Sequence, residues 1–184
     1  MRLILLLVKI RPNPVNTMAT SRRLTVKDLV HSPASFLALG FGTGLAPRAP
    51  GTVGTLPGVL LCVLIADQPL LNYLFVVLVA LVVGLWVCGS TSRQLGTHDH
   101  GGIVWDEIVG FLVAMFAVPV SAGTLLAGFV MFRVFDILKP WPIKWLDSNI
   151  SGGPGIMIDD LAAGAAACVC LHAMLKFFPA LLLW

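Results

Sequence analysis

The chain has 184 residues, 58% of them apolar and only 11% charged, whereas a soluble domain carries about a quarter charged residues. With a mean hydropathy of +0.93, this balance excludes disorder, coiled coil, collagen and a small disulfide scaffold, and it disfavours an ordinary cytosolic globule: the solvent is partly lipid. A formal net charge of +3, from 12 Lys+Arg against 9 Asp+Glu, is too mild for a nucleic-acid binder, which shows a basic stripe or face.

Residues 1–32 read as a flexible basic tail ahead of a single helical membrane domain over 33–184. The opening MRLILLLVKI imitates a signal peptide. Its apolar core is shorter than the ~7–15 residues such a region needs, and no small-residue cleavage site follows. Six basic residues (Arg2, Lys9, Arg11, Arg22, Arg23, Lys27) precede position 30 and fit an anchor beside an anionic leaflet.

Charge-free apolar runs follow at 53–66, 70–89, 108–132 and 161–175. A full span needs about 20 residues, a length that only 70–89 meets comfortably alone. The run 108–132 is interrupted by Pro119-Val120-Ser121 and then Ala122-Gly123, turn chemistry that favours a hairpin over one kinked span. Five helices are expected, at roughly 53–67, 69–91, 104–118, 121–138 and 156–178. The fold class is all-α, an integral membrane bundle with four to five short or full membrane helices. With five crossings, the tail and the 90–104 and 133–156 loops share one face. Arg93, Arg133, Lys139 and Lys144 make that face cytoplasmic; four crossings would separate the two loops. The four cysteines, Cys62, Cys88, Cys168 and Cys170, lie in apolar stretches without a C-x-x-C pair and read as buried reduced thiols. Trp105, Trp141, Trp145 and Trp184 fall at span ends, where aromatic belts form, and Trp86 reads as packing.

Seven of the nine acids lie after position 98, and five of them flank predicted helix ends. Asp106 and Glu107 open the third helix, Asp136 closes the fourth, and Asp159 and Asp160 open the fifth. Capping and dipole compensation explain single cases such as Asp106 or Asp159. Three acidic clusters on one side instead form a ring of hard oxygen donors, suited to Mg2+ that keeps waters for a substrate phosphate. Arg133, Asp136 and Lys139, spaced i, i+3, i+6, are expected to share a helix face. Two glycine-rich stretches, 40–55 with Arg48 inside it and 151–155, are placed to approach an anion. His98 and His100 are candidates for a general acid or a metal ligand, against a solvated loop. A Cys-x5-Arg loop, an Asp-x-Asp pair and a GxxxxGK[ST] loop are all absent, which disfavours the familiar covalent phosphatases and leaves metal-activated water.

At these residues the chain resembles the phosphatidylglycerophosphatase A family. The segments that carry the resemblance are GFGTGLAPRAPGTVGT (40–55), HDHGGIVWDEIVGF (98–111) and FRVFDILKPWPIKWLDSNISGGPGIMIDDLAAG (132–164), within about residues 36–178; the tail is longer and more basic than expected. The resemblance implies a Mg2+-dependent, all-helical, multi-pass phosphatase of the bacterial inner membrane. Its substrate would be phosphatidylglycerophosphate, cleaved to phosphatidylglycerol and inorganic phosphate at a site facing the cytoplasm. In that frame Asp106, Glu107, Asp136, Asp159 and Asp160 are expected to hold the metal, and Arg48, Arg133, Lys139, His98 and His100 to contact substrate. The alternative is a non-enzymatic membrane ion-binding or transport protein, which predicts acids strung through the bilayer depth.

Overall fold

Pro, Gly and Ser punctuate the apolar runs, and the helices of the computed structural model, which describes residues 23–97, 100–150 and 152–182, start and stop at them. Two short helices, α1 (Val26–Leu29) and α2 (Pro33–Ala38), lead into a 3-10 segment, Gly40–Leu45, then α3 (Pro50–Gly54) and α4 (Leu56–Leu64). There follow α5 (Leu70–Leu95), α6 (Trp105–Ala114), α7 (Ala122–Leu138), α8 (Ile143–Asn149) and α9 (Gly153–Phe177). The described residues contain no strand, so the all-α expectation holds. Residues 1–22 of the expected tail lie outside the described residues; beyond them the Thr25 amide donates to Asp28 Oδ2 at 2.8 Å, and Leu24 and Leu29 pack against the core.

α5 and α9 are long and apolar enough to cross a membrane. α7, at 17 residues, sits at the lower edge of the ~17–25 residues a span requires. The other apolar helices are shorter: the helix expected at 53–67 is divided at Thr55, and the one expected at 104–118 stops at Ala114. The hairpin reading of 108–132 holds. Ser121 Oγ accepts from the Thr124 amide at 3.1 Å, Thr124 Oγ1 accepts from the Ser121 amide at 2.8 Å, and this reciprocal cap starts α7 afresh.

α5 buries one stripe, Tyr73, Val77, Ala80, Gly84, Val87 and Cys88, at helical spacing. Its opposite face exposes Leu71, Phe75, Leu78, Val82 and Trp86. An exposed face this apolar is the inverse of a soluble amphipathic helix and matches a lipid solvent. Trp86, expected as packing, is 60% exposed, because it falls off the Gly84–Val87 stripe. Trp105, expected in an aromatic belt, instead donates its indole N–H to the Ala80 carbonyl at 2.9 Å. Cys62 and Cys88 are buried, while Cys168 and Cys170 are half-buried.

α9 runs through the centre, packed on α5, α6, α7 and α8. Glycines allow these approaches. A Cβ on Gly164 would stand 2.2 Å from the Gly110 carbonyl oxygen of α6, and one on Gly153 would stand 2.3 Å from the Leu85 carbonyl oxygen of α5. Between helices in lipid there is little hydrophobic drive, so close backbone contact through small residues supplies the association. The glycine-rich stretch at 151–155, expected to approach an anion, thus serves helix packing where it enters α9.

Candidate active site

Three helices bring the acidic residues together. Asp106 and Glu107 lie in the first turn of α6, where the helix dipole favours anions. Asp136 is in the last turn of α7, where the dipole opposes one. Arg133, one turn earlier on the same face, compensates: its Nη1 is 2.6 Å from Asp136 Oδ2 and 3.4 Å from Glu107 Oε1, so one guanidinium ties α7 to α6. Asp159 and Asp160 were expected to open the fifth helix. α9 begins at Gly153 instead, and the two acids sit nearly two turns inside it, both buried.

The oxygens converge in two triads. Asp106, Glu107 and Asp160 place one carboxylate oxygen each within 4.8 Å of the others, and Asp136, Asp159 and Asp160 do the same. Asp160 belongs to both. It is 3% exposed and makes no ion pair with a described residue. The close approach of α6 to α9 creates this convergence: a Cβ at Gly110 would stand 2.8 Å from the Asp160 carbonyl oxygen.

Lys139 was expected to share a face with Arg133 and Asp136. α7 ends at Leu138, and Lys139 occupies its C-terminal cap in the left-handed region, φ 41°. Pro140 follows and disfavours further helix at this point. The reversal turns the ammonium to Asp159 Oδ2, at 2.5 Å. The expected i, i+6 neighbour is thus a bridge from α7 to α9, and a side chain held at positive φ is a strained one.

Of the remaining expected residues, Arg48 is exposed on the segment before α3, and His100 is buried with its Nδ1 accepting from the Gly102 amide at 3.1 Å. His98 lies outside the described residues. Gly51 was not singled out, yet it belongs to the site. A Cβ there would stand 2.1 Å from Glu107 Oε1 and 2.9 Å from Arg133 Nη2, so α3 covers the ion pair with bare backbone. The sequence signal for it is the glycine just after Pro50 in the 40–55 stretch. Gly110 and Gly164 also escape sequence reading, since their importance lies in each other's position.

The donor set fits a hard cation. Five carboxylates, buried or nearly so, form two adjoining triads through Asp160, with Arg133 ion-paired to Glu107 and Asp136 and Lys139 to Asp159. Negative charge massed in a buried place is costly without countercharge. Oxygen-only donors at this spacing suit Mg2+, which binds few carboxylates and keeps waters.

The family model for phosphatidylglycerophosphatase A matches residues 36–175. A phosphatidylglycerophosphatase A of Escherichia coli K12 is 42% identical over 149 residues, covering 80% of this chain and 87% of the relative. One from Haemophilus influenzae is 44% identical over 147 residues, covering 78% and 89%. A Bacteroides thetaiotaomicron protein named as a candidate phosphatidylinositol-3-phosphatase is 34% identical over 136 residues, covering 70% and 84%. No solved structure matches the chain.

Proposed function

The chain belongs to the phosphatidylglycerophosphatase A family, and from that premise we propose that its five-carboxylate centre hydrolyses phosphatidylglycerophosphate to phosphatidylglycerol and inorganic phosphate with Mg2+. The observation that carries this reading is the gathering of Asp106, Glu107, Asp136, Asp159 and Asp160 into two carboxylate triads that share Asp160. A transport pathway would string its acids through the bilayer depth, whereas these gather at one place.

Asp160 and the two pairs beside it would hold the ion. Bound Mg2+ supplies charge neutralisation at the phosphoryl oxygens and a water of lowered pKa. The chain's own residues supply positioning. Arg133 fixes Glu107 and Asp136 at once, and Lys139 fixes Asp159, so three of the five carboxylates are held before any ligand arrives. The packing of α3 through Gly51 limits water around the Glu107–Arg133 pair. Arg48, on the exposed segment leading into α3, is the cation available to meet an incoming phosphomonoester.

The reading sets the protein in the bacterial inner membrane with the centre at its cytoplasmic face. Support comes from the two membrane-length helices and from Arg93, Arg133, Lys139 and Lys144 at one end of the bundle. A phosphomonoester at the leaflet surface then meets the carboxylates at its own depth.

Purified protein should release phosphate from phosphatidylglycerophosphate with Mg2+, lose that activity in EDTA and regain it when Mg2+ is restored. Release indifferent to the chelator would discard the metal centre. Faster release from phosphatidylinositol 3-phosphate, the lipid in the Bacteroides relative's name, would reassign the substrate.

A further inference from the structure

The two carboxylate triads share Asp160 but differ in the cations that the chain sets against them. In the Asp136–Asp159–Asp160 triad, both members other than Asp160 are ion-paired. Arg133 Nη1 stands 2.6 Å from Asp136 Oδ2, and Lys139 Nζ stands 2.5 Å from Asp159 Oδ2. Arg133 reaches the Asp106–Glu107–Asp160 triad at the longer distance of 3.4 Å, on Glu107 Oε1. The two cations are thus weighted to the α7 side of Asp160.

The backbone puts them there. Asp136 lies in the last turn of α7, where the unpaired carbonyls add negative potential and favour a cation. Lys139 supplies one from the C-cap. Its φ of 41° persists in a non-glycine residue only where the surrounding structure imposes it, and its amide donates to the Phe135 carbonyl at 2.9 Å. The turn sends the side chain back to α9, where the Asp159 carboxylate that it meets is 7% exposed. An ammonium is a compact charge with three donors, so it satisfies crowded carboxylate oxygens much as a small metal ion does.

Two triads that share a carboxylate are the layout of a two-metal hydrolase site, in which the ions stand about 3.5–4 Å apart. A divalent cation entering the α7-side triad here would face Lys139 and Arg133, each within 2.6 Å of a carboxylate that it needs. Like charges at that range repel strongly in a buried site, so the ion would have to displace one of them. In the other triad it meets the longer Glu107–Arg133 pair.

We propose that the centre has one divalent-cation position, the Asp106–Glu107–Asp160 triad, and that the Lys139 ammonium, with Arg133, fills the second triad in the place of a metal ion. The inference rests on the metal-centre reading above and narrows it to one ion on three carboxylates. Lys139 is then a positioning residue: it neutralises Asp159, which leaves the shared Asp160 to serve the ion on the α6 side.

Mn2+, which suits the same oxygen donors as Mg2+ and is visible by electron paramagnetic resonance, counts the positions without any turnover. The full chain in a non-ionic detergent should bind one Mn2+, with the spectrum of an isolated ion. Two Mn2+ per chain, spin-coupled across Asp160, would overturn the inference and leave the metal centre standing. No bound Mn2+, from protein whose circular dichroism shows it folded, would overturn both. That count depends on no variant. Lys139→Met, of similar length and without the charge, should admit a second Mn2+ coupled to the first, whereas Lys139→Arg should keep the count at one. A count of one in folded Lys139→Met would overturn the role given to Lys139. Asp106→Asn should weaken binding of the single ion at least about tenfold more than Asp136→Asn does, the margin between losing a ligand and losing a residue that supports one. Equal or reversed losses would overturn the choice of triad.

Discussion

α5 and α9 are nearly equal in length, at 26 and 25 residues, and both can cross a membrane, yet they make opposite uses of their apolarity. α5 has one buried stripe and turns the rest of its surface, Leu71, Phe75, Val82 and Trp86, outward. α9 is enclosed on several sides and carries in its buried first turns the two carboxylates, Asp159 and Asp160. The helix that looks the more ordinary as a membrane span is the wall of the molecule, and the helix with charges in it is the axis. A charged pair near lipid persists only where partners surround it, and α9 has those partners because its glycines and alanines let α6 and α7 come close.

The largest break in this contrast comes from the axis. Asp160→Asn removes the carboxylate common to both triads while preserving shape. Phosphate release should fall by more than the ~100-fold that loss of a supporting partner to a metal ligand costs, with helical circular dichroism and detergent-gel-filtration behaviour unchanged. Near-normal turnover in this variant would remove Asp160 from the centre.

A smaller effect is expected where α9 meets α6. Gly164→Ala sets a Cβ 2.2 Å from a backbone oxygen that has no rotamer by which to escape, so the helices must separate. Overpacking of this kind costs about 1–3 kcal/mol, read as a lower melting temperature in detergent. Because the same contact sets the Asp106–Asp160 approach, kcat should fall with it; a melting loss with kcat intact would uncouple packing from the site.

The effects on catalysis are smallest at the wall. Val82→Leu on the outer face of α5 should change stability by less than about 0.5 kcal/mol and leave activity as it was. Val82→Asp at the same place should lower membrane insertion by about 2.5–3.5 kcal/mol if that face meets hydrocarbon, measured as the inserted fraction in vesicles. Insertion equal to wild type would mean that α5 does not face lipid.

Much of this arrangement was legible in the linear chain. The apolar runs, the break at Pro119–Ser121 and the gathering of acids after position 98 follow from composition and spacing, because helix length, turn chemistry and the cost of a charge near lipid are local properties. The five carboxylates and Arg133 were named from spacing and helix ends, and the structure brings these residues together. The division of 53–67 at Thr55 was not legible, nor was the depth of Asp159 and Asp160 within α9. Helix starts depend on caps and neighbours as much as on hydropathy.

Three features were decided by tertiary structure alone. Lys139 reaches Asp159 only because α7 ends in a left-handed residue at that point, which a helical spacing rule extends straight through. Gly51, Gly110 and Gly164 matter for what a Cβ would strike on another helix, and no local pattern encodes the partner. Trp86 and Trp105 exchange their expected roles, exposed and hydrogen-bonded respectively, because the face a residue presents is fixed by which neighbour the helix packs against. The sequence by itself determined a helical, apolar chain with its acidic residues gathered near helix ends, since periodicity and charge act within a few residues. The carboxylate triads that share Asp160 and the glycine contacts exist only once three or more helices are in place, since each is a distance between atoms far apart along the chain.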